Sequence, residues 1–413
     1  MASLDITASA PGKIILCGEH SVVYEGYAAL AASINRRTSC RLITILPKLV
    51  RIELNSLNFN HVMSLEELNA IVNTIQDKIL LDDPSPVLVK DVVDRMMNRK
   101  IGDSPAIQNA MNVITFLLAS MLSTMNVKLN TGLMLTISSE LVLGAGSGSS
   151  ASFAVSVAGT VYTLVKWLLG DVEDSNSLDV SISDSVNKWA FLAEQITHGK
   201  PSGLDNAVCT WGGLVKLKKL PLSTEISNVL WMGRLEILLI DTGVSRSTSA
   251  LVQKVSSLKS HHETVVSHIL TAMGSVTDEF LTTLNNISSK FTLNIGRGEN
   301  DDELLHAEFK KLEDLIDMNQ GLLVSLGVSH PSLNQVIDIC KGHDLHAKLT
   351  GAGGGGYAYA LVPPYARGGL DACVRELERA RYTVYRDIQL GGQGFELKID
   401  RCYCVGLRNN VSL

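Results

Sequence analysis

A loop built almost entirely of glycine and serine, residues 144–150 (GAGSGSS), is the first stretch of this chain whose residue types could do chemistry. It follows an alternating segment, residues 132–140, that predicts a strand, and it precedes a long apolar run that predicts a helix ending at Gly170. A strand, a glycine-rich loop and a helix in this order direct backbone N–H groups and the positive helix end toward a phosphate. Glycine lets the phosphate approach the backbone, and serine hydroxyls can donate hydrogen bonds or bind Mg²⁺.

This loop matches neither of the two common glycine-rich nucleotide motifs. No lysine follows it, as a Walker A loop requires, and Ser149 stands where a dinucleotide fingerprint has its third glycine. Taken alone, the loop is therefore compatible with two interpretations, a phosphate site and a plain turn before a helix.

Charged residues gather in two further stretches. Lys13, Glu19 and His20 flank a short predicted strand, and a solvated lysine beside a Glu–His turn is the simpler interpretation of this group. Glu194 lies four residues before a histidine, a spacing that places both on one helix face. Asp205 follows in the turn PSGLDN, where an aspartate often closes an Asx turn or caps a helix. The same carboxylate could instead take the proton from a hydroxyl that attacks a phosphate.

A second glycine run, GAGGGG at residues 351–356, formally contains the spacing G-x-G-x-x-G. The alternating segment YAYALV follows it and predicts a strand where a dinucleotide site needs a helix. We therefore predict that this run lets another backbone segment or a substrate come close.

The composition is that of a globular protein. A length of 413 residues predicts two to three domains, and 46% hydrophobic residues suffice for a large core. The net charge of −6 and the lack of a basic block argue against nucleic acid or a membrane surface as a partner. Seven scattered cysteines, an odd number, favour free thiols, and neither a signal peptide nor an apolar run of spanning length is evident. We expect a cytoplasmic protein.

Strand and helix patterns are mixed along the chain, which predicts an α+β fold. A buried strand, LEILLIDTG, begins a new unit at Leu235. We place the domain boundary near residues 225–234 and predict two domains, over residues 1–230 and 231–413.

Four segments taken together resemble the GHMP kinase superfamily: APGKIILCGEHSVVYEGYAAL, GAGSGSSAS, NKWAFLAEQITHGKPSGLDNAVCTWGG and KLTGAGGGG. Their order and spacing agree with the superfamily over residues 6–360, and the third is most similar to members that act on mevalonate. The resemblance implies two α+β domains with the active site in the cleft between them. It also implies transfer of phosphate from ATP, with Mg²⁺, to the primary hydroxyl of mevalonate, a step that yields 5-phosphomevalonate for isoprenoid synthesis.

The resemblance further implies roles, position by position. Asp205 is similar to the base that takes the hydroxyl proton, and Lys13 to the neighbour that favours its charged form. Ser150 and Glu194 match the Mg²⁺ ligands. The implied nucleotide-binding residues are Lys13, Asn58, Ser139, Gly144, Ala145, Gly146, Ser147, Gly148, Ser149 and Ser150. The implied mevalonate-binding residues are Glu19, His20, Thr248 and Asp205.

The chain departs from the superfamily pattern around the loop. The two prolines that usually precede it are absent, Ser147 stands where leucine is usual, and Phe153 stands where tyrosine is common. These departures bear on affinity more than on the type of reaction, because the implied base, lysine and metal ligands are present. The alternatives are a GHMP kinase for another small alcohol, such as a sugar or amino-acid alcohol, and a catalytically silent nucleotide sensor. Because similar kinases are often dimers, a homodimer is a further expectation.

Overall fold

The computed structural model describes residues 3–46, 48–76, 91–92, 104–142, 146–171, 180–199, 201–231, 233, 235–292 and 299–403. Helices and strands are mixed along these residues, which confirms the predicted α+β fold.

The described strands form one connected sheet of twelve strands. They are β1 (Ser3–Cys17), β2 (Ala28–Ile45), β3 (Leu49–Leu54), β4 (Phe59–Ser64), β5 (Gly132–Ser139), β6 (Leu214–Lys219), β7 (Thr224–Val229), β8 (Leu235–Asp241), β9 (Ala347–Leu349), β10 (Tyr357–Val362), β11 (Thr383–Leu390) and β12 (Glu396–Tyr403). The longest strand, β2, has 18 residues and pairs antiparallel with β1, β5, β6 and β11. The sheet therefore crosses the predicted domain boundary, which itself stays a prediction.

Ten α-helices accompany the sheet in the described part of the chain. They are α1 (Leu65–Gln76), α2 (Pro105–Thr124), α3 (Ser149–Leu169), α4 (Val180–His198), α5 (Leu204–Trp211), α6 (Thr248–His261), α7 (Glu263–Thr292), α8 (Glu299–Ser325), α9 (Pro331–Lys341) and α10 (Arg367–Arg379). Helix α3 ends as its sequence predicts, because Gly170 adopts a left-handed conformation with a φ of 81°.

Hydrophobic residues form a separate core on each side of β8. Ile237 and Leu239 belong to one cluster, and Leu238 and Ile240 belong to another. Because neighbouring side chains of a strand point to opposite faces, this continuous apolar run is buried on both faces. A third and larger cluster joins β1–β5 to helices α1–α4 and includes the first turns of α3, which follow the glycine–serine loop.

Two helices, α2 and α3, are long and apolar enough to cross a membrane by length and composition. The sequence indicated apolar runs too short to span a membrane, whereas the helices that contain them are long enough to do so. In each helix, 78% of the most apolar window is buried inside the protein, as in the core helices of globular proteins.

Candidate active site

The residues with predicted catalytic or binding roles come together from five elements: β1, the glycine–serine loop, α3, α4 and α5. Lys13 lies near the end of β1, the glycine–serine loop leads into α3, and Glu194 lies near the end of α4. Gly203 takes a φ of 82° and starts α5, which places Asp205 in the first turn of that short helix. The turn PSGLDN is therefore a helix start, and its geometry points the aspartate toward β1.

The Lys13 and Asp205 side chains form an ion pair, with 3.1 Å between Nζ and Oδ1. The lysine side chain is 6% exposed and that of the aspartate 39%. A hydroxyl group from solution can therefore reach the carboxylate, while the ammonium group lies beneath it. A carboxylate that a hydroxyl group can reach is a group that can accept its proton.

The loop is anchored directly to Lys13. The backbone N–H of Lys13 donates to the carbonyl oxygen of Ser147 at 2.8 Å. Gly148 has a φ of +71°, and a Cβ there would lie 2.7 Å from Cγ of Lys13, so glycine is required for two reasons. The start of α3 is tied to β1 as well, because Ser152 Oγ donates to Ala10 O at 2.7 Å. Gly144 and Ala145, at the beginning of the loop, lie outside the described residues.

The two residues predicted to bind a metal, Ser150 and Glu194, contact each other through a hydrogen bond. The hydroxyl of Ser150, in the first turn of α3, donates to Oε1 of the buried Glu194 at 2.5 Å. One hydroxyl and one carboxylate fit Mg²⁺, which takes few protein oxygens and completes its shell with phosphate and water. Among the described residues no group of three or more His, Cys, Asp and Glu side chains could hold a metal by itself. A cation here would therefore depend on a nucleotide for further ligands.

Arg246 is a site residue that the sequence analysis missed. Its Nη1 donates to the carbonyl oxygen of Thr350 at 3.1 Å, and its guanidinium group packs against Gly146 and Gly351. Burial lowers the pKa of Arg246, while the negative charge of Asp205 raises it. The guanidinium group thus joins the glycine–serine loop to the second glycine run. A lone arginine in the segment SRSTSAL carries no spacing signal that would have revealed this.

His20 meets the second glycine run. Its Nε2 lies 2.9 Å from the carbonyl oxygen of Ala352, and burial lowers the pKa of its imidazole. Its Nδ1 is buried without a hydrogen-bond partner among the described residues. The run also packs on other backbone, since a Cβ at Gly353 would lie 2.1 Å from Val328 O. The prediction that this run allows a close backbone approach is therefore confirmed.

Glu19 is more deeply buried than its predicted role in mevalonate binding indicates. Its carboxylate pairs with Lys348 Nζ at 2.5 Å and accepts from Asn319 Nδ2 at 3.1 Å, and its side chain is 1% exposed. These contacts hold the segment that carries His20 against β9 and α8. Direct contact between Glu19 and a substrate stays a prediction.

The remaining predicted residues lie at the edges of the site. Ser139 Oγ contacts Thr38 Oγ1 at 2.8 Å, and the Ser139 N–H donates to Ser56 Oγ, close in the chain to the exposed Asn58. Thr248 is the exposed first residue of α6, two positions after Arg246. No described contact joins Asn58 or Thr248 to the Lys13–Asp205 pair, so their roles stay predictions.

An accessible carboxylate beside a buried lysine, a glycine-rich loop at a helix start and a hydroxyl–carboxylate pair form the arrangement expected of a phosphotransferase of the GHMP kinase class. Family models agree: the GHMP kinases N terminal domain matches residues 112–213, and the GHMP kinases C terminal model matches residues 302–375.

Comparison with curated relatives identifies the family within the GHMP kinase class. The chain is 34% identical over 370 residues to a mevalonate kinase of Mus musculus, covering 88% of each protein. It is 33% identical over 407 residues to a mevalonate kinase of Schizosaccharomyces pombe, covering 96% of this chain and 93% of the relative. The chain therefore belongs to the mevalonate kinase family.

Solved structures show the same fold. The crystal structure of the Methanococcus jannaschii mevalonate kinase has a TM-score of 0.66 at 22% identity, with coverage of 94% of this chain and 98% of the other. The L. major mevalonate kinase in complex with R-mevalonate has a TM-score of 0.65 at 20% identity, with coverage of 94% and 96%.

Proposed function

We propose that this protein transfers the terminal phosphoryl group of ATP to the primary hydroxyl of mevalonate and so produces 5-phosphomevalonate. The observation that carries the proposal is the ion pair of Lys13 with the accessible Asp205, next to the loop that leads into α3. Relatives named mevalonate kinase, at 34% and 33% identity over nearly their whole length, support mevalonate as the alcohol.

The proposed reaction needs a base, a phosphate cradle and compensation of negative charge. Asp205 accepts the proton of the substrate hydroxyl, and Lys13 stabilises the negative charge on both groups as the oxygen attacks. The backbone N–H groups at the start of α3, with the helix dipole, bind the phosphates of the nucleotide. Gly146 and Gly148 let two cationic side chains, Arg246 and Lys13, pack directly against the loop, because a Cβ at either position would clash with them.

We further propose Mg²⁺ as the metal, held by Ser150 and Glu194. The hydroxyl–carboxylate pair at 2.5 Å supports this choice, because both donors are hard oxygens. When bound, the ion neutralises charge on the phosphate oxygens.

At the other end of the substrate, we propose that Arg246 binds the mevalonate carboxylate and that His20 lines the same end of the site. A guanidinium group matches a carboxylate in charge and in planar geometry. Arg246 contacts Thr350 and packs against Gly146 and Gly351, and the negative charge of Asp205 raises its pKa.

The deciding experiment is an ADP-release assay with mevalonate and a panel of other small alcohols, including sugars and homoserine. We expect mevalonate to give by far the highest kcat/KM. A higher value for another alcohol would favour a different GHMP kinase activity. ATP binding without turnover of any alcohol would favour the nucleotide sensor.

Cytoplasmic location and a homodimer are also proposals. Five cysteines of the described chain are free and buried, which supports a reducing compartment. The dimer rests on the resemblance alone, and sedimentation of the purified protein would test it.

A further inference from the structure

Two buried thiols meet between α9 and α10, away from the phosphate loop. Cys340 lies in the last turn of α9 and Cys373 lies within α10. Their Sγ atoms are 4.0 Å apart, and both residues are 0% exposed. The proposed reaction uses neither of them.

Contacts on both sides hold the two helices at this distance. His343 Nε2 lies 2.7 Å from Oε2 of Glu376, just beyond the end of α9. On the other side Tyr382 OH donates to Gln335 Oε1 at 2.7 Å. The thiols therefore face each other within a packed interface, and a side-chain rotation with a small helix shift would bring the sulfurs to bonding distance, about 2.05 Å.

The two thiols differ in acidity. The neighbouring Cys340 thiol lowers the pKa of Cys373, whereas contact with Cys373 and burial raise that of Cys340. Since the thiolate is the reactive form, the first of the two thiols to ionise is the nucleophile, and the other is the resolving thiol.

Helix α9 also touches the active site through the turn before it. The Val328 carbonyl oxygen, three residues before Pro331, accepts from the Gly354 N–H at 2.8 Å. Gly354 belongs to the glycine run whose Ala352 carbonyl contacts His20. A shift of α9 would therefore move the glycine run at the substrate end of the cleft.

We propose that Cys340 and Cys373 form a reversible disulfide when the protein meets hydrogen peroxide, and that this disulfide weakens mevalonate binding. The effect on mevalonate binding rests on the proposed function, whereas the formation of the disulfide does not.

The chemistry balances with peroxide as the oxidant. One of the two thiolates attacks one peroxide oxygen, the O–O bond breaks, and with one proton the products are a sulfenic acid and water. The sulfur of the other cysteine then attacks the sulfur of the sulfenic acid, the S–O bond breaks, and a second water leaves. Two thiols and one peroxide thus give one disulfide and two waters, and a dithiol reductant reverses the change.

The disulfide is tested on the full chain by digesting peroxide-treated, thiol-blocked protein with trypsin without reduction. Cys340 lies in the tryptic peptide 312–341 and Cys373 in 368–375, and each peptide holds one cysteine. We expect a linked peptide lighter than the sum of its parts by two hydrogens. It should disappear after dithiothreitol and be absent from Cys373→Ala treated in the same way. Failure to find the linked peptide in the wild type would overturn the proposal.

The regulatory half is tested by calorimetric titration with mevalonate, a readout that needs no turnover. We expect the Kd of the oxidised wild type to rise about 2- to 30-fold, the span typical of coupling through packed elements. Dithiothreitol should restore it, and peroxide-treated Cys340→Ala should bind like reduced wild type. An unchanged Kd in protein that carries the linked peptide would refute the switch. If reduced protein binds no mevalonate, the proposed function fails and the switch with it, while the linked peptide still decides the disulfide.

Discussion

Lys13 Nζ lies 3.1 Å from Asp205 Oδ1, yet the first side chain is buried and the second is accessible. The lysine cannot leave the pair without being buried alone, which is costly, whereas the carboxylate can still contact a substrate. This asymmetry distinguishes the two residues: Lys13 is a fixed positive charge, and Asp205 is an accessible carboxylate.

The first prediction concerns that base. Asp205→Asn keeps the size of the side chain but cannot accept a proton, so kcat should fall by about 10²- to 10⁴-fold. Because the variant leaves the buried Lys13 without its counter-ion, the melting temperature should fall as well, so kcat is compared at a temperature where both proteins are folded. Turnover and thermal unfolding are measured on one sample. A variant that turns over mevalonate at the wild-type rate would refute the base role, and one that is merely unstable would point to a structural Asx turn.

The second prediction concerns the phosphate loop. Gly148→Ala adds a Cβ that would lie 2.7 Å from Cγ of Lys13, so both ATP binding and kcat should suffer. Gly170→Ala is the matched control, because Gly170 also has a positive φ, of 81°, but has open space around it at the far end of α3. An alanine in this conformation costs about 1–2 kcal/mol at either position.

Both variants should therefore melt at lower temperature, and only Gly148→Ala should raise the KM for ATP. Equal ATP affinity in the two variants would restore the plain-turn interpretation of the loop.

The sequence predicts a feature of this site well when the residues that form it lie close together along the chain. The end of α3 at Gly170 was predictable because a glycine stops a helix through its own local conformation. Lys13 and Asp205 were found through their motifs, each of which is a short continuous segment. The ion pair of Glu19 with Lys348 joins positions 329 residues apart, and no local pattern encodes such a contact. Such a pairing arises only when the whole sheet has formed.

Arg246 illustrates the same limit, and it gives the third prediction. Arg246→Lys keeps the charge but loses the planar fork that contacts Thr350 and the two glycine turns. A hydrogen bond to a charged group contributes about 1.5–3 kcal/mol, so the KM for mevalonate should rise about 10- to 100-fold. The KM for ATP should change less. Arg41→Lys, at a surface ion pair with Asp5, is the control and should leave both constants unchanged. A rise in the KM for ATP alone would place Arg246 at the nucleotide instead.

The fourth prediction concerns the metal. Glu194→Gln removes the negative charge from the oxygen pair with Ser150 and should raise the Mg²⁺ concentration needed for half-maximal rate. The exposed Glu66, far along the chain in α1, provides a control, and Glu66→Gln should leave the Mg²⁺ dependence as it is in the wild type. If Glu194→Gln shows the same Mg²⁺ dependence as the wild type, Glu194 does not bind the ion.

The last prediction concerns acid stability and His20. Burial lowers the pKa of this imidazole in the folded protein, and the positive charge of Arg246 acts in the same direction, while Glu19 opposes it. The unfolded chain therefore binds a proton at higher pH than the folded one. The neutral ring contributes stability above the unfolded pKa, and that stability is lost as the pH falls toward the folded value. Glutamine at this position does not titrate.

The melting temperatures of the wild type and His20→Gln are compared between about pH 7.5 and about pH 5.5, a range that brackets the unfolded pKa of about 6.5. The melting temperature of the wild type should fall more on acidification than that of the variant, because only in the wild type does unfolding expose an imidazole that then binds a proton. Glutamine is expected to destabilise the protein at both pH values by disturbing the contact with Ala352, so the difference in slope is the informative quantity. Parallel slopes would mean that His20 titrates alike in both states, and the buried imidazole would then contribute nothing to the pH dependence.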